Sequence, residues 1–107
     1  MSNMNIEKIR EIISNSDNVI ITQHSVMRFR ERGIKYADII SALNNGTIIE
    51  HYPNDYPNPS CLVLGLTING KYLHVVCGTD NVCLWIITAY FPSSDKWYPD
   101  FKTRKEH

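Results

Sequence analysis

A chain of 107 residues is sized for one domain with a single core, expected over 1–107. Its 43% hydrophobic and 21% charged residues exclude a disordered chain, and 11 basic against 11 acidic side chains exclude a protein that coats nucleic acid by bulk attraction. A local cationic site is not excluded, because "RFRERG" and the tail "KTRK" are basic while the acids are scattered. No membrane span is expected: the longest apolar run, "VCLWIITAYF", has about half the length a membrane helix needs. Cys61, Cys77 and Cys83 make an odd count with no C-x-x-C pair and no zinc-like spacing. They read as small buried thiols, reduced, which places the chain in the cytoplasm.

In chain order, Ile6, Ile9, Ile12 and Ile13 fall at helical spacing, and "SNSDN" breaks the pattern. The extended piece "VII" (19–21) leads to Thr22, an N-cap for a second helix that ends at Gly33. A third helix carries Tyr36, Ile39, Ile40 and Leu43 on one face, with Gly46 placed for a left-handed cap. Strands follow at "TIIEHY" (47–52), "CLVLGLTI", "KYLHVVCG" and "VCLWIITAYF", with a turn-rich loop "PNDYPNPS" after the first. The fold class is α+β: two or three N-terminal helices (about 5–46) on one face of a four-stranded antiparallel sheet (about 47–91), then a basic tail (92–107).

Asn69-Gly70 reads as a two-residue hairpin turn, pairing Leu66 with Leu73 and Leu64 with Val75. That register puts Leu62, Leu64, Leu66, Leu73, Val75 and Cys77 under the helices. It leaves Val63, Gly65, Tyr72 and His74 on the open face, with empty space where His74 meets Gly65. Thr88 and Tyr90, the more polar pair of the last strand, are assigned to that open face.

His24, Arg28 and Arg32 recur every fourth residue and lie within an arc of about 80° on the second helix. One reading is a solvated cationic face, with Arg32 favoured near the helix C-terminus and Glu31 available as a partner. The other is a phosphate site, in which guanidinium groups fork onto phosphate oxygens and a histidine moves a proton near neutral pH. Metal-free cleavage of RNA needs that inventory: a base for the ribose 2′-hydroxyl, cations for the charge on phosphorus and an acid for the leaving oxygen. His24, His51, His74, Arg28, Arg32, Arg104 and Tyr90 supply it. His51, His74 and Asp55 lack paired metal-ligand spacing, so neither a metal nor another cofactor is expected. Tyr52, Tyr56, Trp97 and Tyr98 read as caps over the core edge or as surfaces for stacking bases.

Taken together, "TQHSVMRFRERGI", "ALNNGTIIEHYPNDYPNPSCLVLG", "YLHVV", "ITAYFP" and "WYPDFKTRK" resemble a bacterial and archaeal domain-of-unknown-function family, DUF4258, from about Thr22 to Lys105. The motif "THxxxRxxERGI" appears here with one extra residue after the threonine. The resemblance implies an outline similar to RelE-like and BrnT-like ribonuclease toxins. It also implies a small zinc-finger antitoxin of the MqsA type as partner. The pattern positions it carries over are His24, Arg28, Arg32, Gly33, His74, Thr88, Tyr90, Trp97, Asp100, Arg104 and Lys105. Lys35 stands where a serine or threonine cap is expected. The leading expectation is a metal-independent ribonuclease-like toxin domain acting on RNA. His24, Arg28, Thr88, Tyr90 and Arg104 would carry the chemistry, with Arg32, His74, Trp97 and Lys105 binding substrate. Its rivals are a non-catalytic module that docks a partner protein and a domain that binds RNA without cutting it. The edge strand 47–52 could also pair with a second copy.

Overall fold

The computed structural model describes residues 4–105. The ends of the expected 1–107 domain and 92–107 tail, residues 1–3 and 106–107, lie outside the described residues. Helix α1 (Ile6–Ile13) starts where the Asn5 side chain accepts the Lys8 amide at 2.7 Å, and it buries Ile9, Ile12 and Ile13. A 3-10 turn (Ser16–Asn18) and strand β1 (Val19–Ile20) lead to α2 (Gln23–Glu31). Thr22 caps α2 by accepting the Ser25 amide at 3.1 Å, and Gly33 closes the turn at φ +72°, as the sequence suggests.

Helix α3 (Tyr36–Asn45) begins at Lys35, whose side chain has no acceptor to offer. Asp38 compensates from inside the first turn, its Oδ2 accepting the Lys35 amide at 3.1 Å. Gly46 departs from expectation, for its φ is −93° rather than left-handed. A Cβ there would lie 2.4 Å from the Ala42 carbonyl oxygen and 2.6 Å from that of Leu64. Close backbone approach, not a special dihedral, demands glycine.

Strands β2 (Thr47–Tyr52), β3 (Ser60–Leu66), β4 (Tyr72–Thr79) and β5 (Leu84–Tyr90) form the antiparallel meander, in the order β1-β5-β4-β3-β2. The sheet therefore has five strands where four were expected. The "VII" segment adds β1 parallel to β5, with Val19 opposite Leu84 and Ile20 opposite Trp85. Two paired residues are too few to show the alternation by which a strand is read. Strand β2 is the other outer strand, where the sequence reading places an edge.

The β3–β4 register differs by one residue from the two-residue-turn reading. Leu66 pairs with Tyr72, Leu64 with His74 and Val63 with Val75. A type I′ turn needs positive φ at both central residues, and here only Gly70 has it, at +81°. The loop is instead three residues long, closed by a Thr67 amide bond to the Lys71 carbonyl at 2.8 Å. This slip exchanges the faces of β3. Cys61 and Val63 join Leu73, Val75 and Cys77 in the core beneath the helices, while Leu62 and Leu64 share the His74 face. Gly65 does not face His74 across open space. It lies under α3, where a Cβ would come 2.1 Å from the Ala42 carbonyl oxygen.

Two β-bulges settle the remaining faces. The β2–β3 register shifts between Ile48 and Glu50, so Ile48 packs on the core while Glu50 pairs with Leu62. The β4–β5 register shifts where Cys77 meets Ile86 and Val76 meets Thr88, leaving Ile87 as the extra residue. Leu84 and Ile86 thus face the helices, and Thr88 and Tyr90 still emerge on the His74 side. Cys61 and Cys77 are fully buried free thiols with sulfurs 3.9 Å apart, whereas Cys83 is only half-buried.

Candidate functional site

Helix α2 turns Ser25 and Phe29 inward, which leaves His24, Arg28 and Arg32 exposed on its outer side. The Arg28 Nε–H donates to His24 Nε2 at 3.1 Å. Arg32 reaches the sheet, its Nη1 donating to the Ala89 carbonyl at 2.8 Å and to Thr88 Oγ1 at 3.3 Å. This contact follows from the sheet order. Strand β1 pairs only with Leu84 and Trp85, so the later part of β5 is a free edge whose carbonyls need donors. Ser25 meets the same edge, 3.5 Å from the Ile87 carbonyl. A recess of about 390 Å³ opens among His24, Met27, Arg28, Glu31 and Arg32. Ion pairs among the described residues are Lys8 with Glu11 and Arg104 with Glu50. Glu31 lines the same recess but makes no ion pair with Arg28 or Arg32.

On the sheet face away from the helices, the tail folds back over the strands. Trp97 is buried and forms an antiparallel bridge with Arg104. It packs edge-on to His74 at 4.5 Å between centroids, and the Arg104 guanidinium lies 4.6 Å from the Trp97 ring centre. Arg104 forks onto Glu50, Nε to Oε2 at 2.8 Å and Nη2 to Oε1 at 3.1 Å. The Tyr52 hydroxyl donates to the same carboxylate. Burial pushes the Glu50 carboxyl up, but the bonds from Arg104 and Tyr52 and the nearby positive charge outweigh it and hold it below its usual range. Burial and the carboxylate push the Tyr52 phenol up to about 12.

His74 is fully buried, with Nδ1 3.3 Å from the Tyr90 hydroxyl and Nε2 2.8 Å from the Phe101 carbonyl. A carbonyl only accepts, so Nε2 carries the proton and Nδ1 accepts from Tyr90. Burial lowers the imidazole's readiness to ionise, against the opposing pull of the Phe101 carbonyl. The ring is a neutral strut.

The structure joins several expected residues. Arg32 touches Thr88, and Thr88 lies two residues before Tyr90 on one face of β5. Tyr90, Trp97 and Arg104 line a second recess of about 390 Å³ with Phe91, Ser93 and Lys96. His24, Arg28, Arg32, Thr88, Tyr90 and Arg104 thus follow one band from α2 across β5 to the tail.

The structure places other expected residues differently. His74 does not stand on an open face: the tail covers it, with the Trp97 indole against its ring and the Phe101 carbonyl on Nε2, while Trp97, itself nearly buried, lines the second recess. Lys105 turns toward Tyr98, its Nζ 5.8 Å from the ring centre, and Asp100 accepts the Lys102 and Thr103 amides as a turn former. His51 pairs with Cys61, whose side chain is in the core, and so stands on the opposite face from Glu50. Among the described residues, no group of three or more His, Cys, Asp or Glu gathers as a metal site, and no helix is long and apolar enough to cross a membrane.

Sequence reasoning missed Glu50, Phe91, Ser93 and Lys96. Glu50 carried a usable signal, an acid inside the apolar strand "TIIEHY" that burial makes costly without a cation. Lys96 and Phe91 carried none, since their partners arrive only when the tail returns.

No curated protein and no solved structure matches the chain. A family match runs over residues 21–91, which includes His24, Arg28, Arg32, His74, Thr88 and Tyr90. It ends short of the expected Lys105, so Trp97, Asp100, Arg104 and Lys105 lie beyond it. Because that match covers more than half of the 107 residues, the chain belongs to the family described as domain of unknown function, DUF4258.

Proposed function

We propose that the protein is a small metal-independent ribonuclease domain whose site is the band from α2 to β5. One observation carries this reading. An exposed imidazole accepts from a guanidinium one helical turn away, a second guanidinium one turn farther on donates to the hydroxyl of Thr88, and neither cation makes an ion pair among the described residues. An unmatched pair of forks fits the oxygens of a phosphodiester.

In the proposed reaction, His24 Nε2 takes the proton of a ribose 2′-hydroxyl and that oxygen bonds to phosphorus. The bond from phosphorus to the 5′-oxygen breaks, and the leaving oxygen takes a proton from water, whose hydroxide is neutralised by the proton that His24 then releases. The products are a 2′,3′-cyclic phosphate and a free 5′-hydroxyl. The Arg28 Nε–H occupies the His24 Nε2 lone pair. A phosphate that draws Arg28 away would free that lone pair to act as base, coupling binding to activation. Arg28 and Arg32 stabilise the charge on phosphorus, and Thr88 and Tyr90 orient the substrate. His74 and Trp97 act by holding Tyr90 and the tail, and Arg104 by walling the far end.

On the same reading the domain is the toxin of a toxin–antitoxin pair, RelE- or BrnT-like in outline. It would work in the cytoplasm and be restrained by a small zinc-finger antitoxin. The motif resemblance supports this, and the outer position of β2 offers an edge for the partner or for a second copy.

A second reading, a non-catalytic docking module, is favoured by a different feature. Ile21, Val26, Phe29, Ile34 and Tyr36 line an apolar recess of about 460 Å³ beside Arg30 and Lys35, suited to an acidic amphipathic segment. The deciding experiment incubates the purified protein with total RNA in a metal chelator, beside His24→Ala and Arg28→Ala proteins of confirmed fold. Cleavage by the wild type alone is the expected result. RNA retained but uncut would leave a binding domain, and neither binding nor cleavage would leave the docking module.

A further inference from the structure

We infer that the recess formed by Tyr90, Phe91, Ser93, Lys96, Trp97 and Arg104 receives one unstacked base of a single-stranded RNA whose phosphate lies on Arg28 and Arg32. The inference rests on the phosphodiester reading and deepens it, by naming single-stranded RNA and the group that selects for it.

Position is the first argument. Arg32 touches Thr88, and Tyr90 is the next residue on the same face of β5, about 6.7 Å farther along the strand. That step is within the reach of a single extended nucleotide, so a phosphate at Arg32 places its neighbouring base at Tyr90.

Chemistry is the second. Phe91 is 39% exposed, and its ring is an apolar face at the surface with no core to join. Such a face beside cations suits a base, whose flat π-surface stacks on aromatic rings whatever its identity. Lys96 in the wall and Lys71, 5.9 Å from the Phe91 ring centre, add positive charge without a carboxylate partner among the described residues.

Rigidity is the third. Tyr90 is held by His74, the two rings meeting edge-to-face at 5.2 Å, and Trp97 is clamped between His74 and Arg104. Glu50 in turn fixes Arg104. The back of the recess is thus built before any ligand arrives, which lowers the ordering cost of binding. A base stacked inside a duplex cannot enter such a recess, so the pocket selects single strands.

Fluorescence anisotropy tests this with three probes that cannot be cleaved: a labelled 2′-O-methyl hexanucleotide, the same strand without bases, and its blunt duplex. The wild type should bind the base-bearing strand more tightly than the other two. Phe91→Ala should weaken that strand on the order of tenfold or more, the loss of one stacked base, and leave the abasic strand unchanged. Phe91→Leu, which keeps apolar bulk, should behave like Phe91→Ala, and Phe91→Tyr should restore binding. Arg28→Ala should weaken both strands. Equal binding of the base-bearing strand by wild type, Phe91→Ala and Phe91→Leu would overturn the pocket while leaving phosphate binding intact. Equal binding of the duplex would do the same. Wild-type protein that binds no probe would overturn the phosphodiester reading together with the pocket.

Discussion

The imidazole of His74 donates from Nε2 to the carbonyl oxygen of Phe101 at 2.8 Å, tying the middle of the sheet to the far end of the tail. Its other nitrogen holds Tyr90, so one buried ring fixes both a site hydroxyl and the segment that walls the site. His74→Ala should therefore cost about 2–4 kcal/mol, from a cavity plus two polar partners left unpaired. Trp97→Ala should cost about 3–5 kcal/mol. Urea unfolding measures both. Limited proteolysis should show residues 92–105 cut sooner in each variant, and a change within about 0.5 kcal/mol for His74→Ala would contradict the strut.

Stability should fall with acid in two stages. Burial, opposed by the Phe101 bond, keeps His74 below the ordinary 6.5, so the unfolded chain takes up that proton first. Its contribution is complete above 6.5 and declines as the pH drops below it. Glu50 has the same sign by a different route. Burial acts upward, but Arg104 and Tyr52 outweigh it and hold the carboxyl below the ordinary 4.5, so its contribution is lost as the pH falls through that value. Urea midpoints measured from about pH 8 to about pH 3 should show both declines. A refolded His74→Gln protein should lack the first and keep the second.

The glycines should rank by contact rather than by dihedral. Gly65→Ala would bring a Cβ 2.1 Å from the Ala42 carbonyl oxygen and 2.6 Å from its Cα, so helix and sheet must part, at about 3 kcal/mol or more. Gly33 and Gly70 have positive φ with nothing within 4 Å, so alanine there costs only backbone strain, about 1–2 kcal/mol. Chemical denaturation of the three variants gives the order, and a larger loss at Gly33 than at Gly65 would contradict the close packing of α3 on β3.

Salt dependence should separate the arginines. Arg28 makes no ion pair among the described residues, so its removal should reduce the slope of log K against log salt by about 0.7 for a single strand. Arg104 already meets Glu50 through both branches of its fork. Arg104→Ala should leave the slope nearly unchanged and appear as lost stability, because Glu50 is then partly buried without its cation. RNA binding titrated across several salt concentrations distinguishes the two.

Features that depend on short-range chemistry are legible in the sequence. Thr22 caps α2 because a threonine oxygen accepts an amide three residues on, and Gly33 closes it because only glycine adopts the left-handed turn freely. The His24, Arg28 and Arg32 stripe follows from the helical period alone. Gly46 follows α3 as expected but for a different reason, since the Ala42 carbonyl of that helix and the Leu64 carbonyl of β3 together exclude a side chain there.

The sheet faces and the burial of the site's far half depend on long-range packing. Asn69-Gly70 marks a turn, yet the loop closes at Thr67 and Lys71, and this one-residue difference moves every side chain of β3 to the other face. The bulges at Ile49 and Ile87 then turn Glu50 and Tyr90 toward the tail, against strict alternation. Arg104 meets Glu50 across 54 residues of chain. Pairing at that separation is chosen by the packing of the whole sheet, because the local sequence around either residue fits several registers equally well.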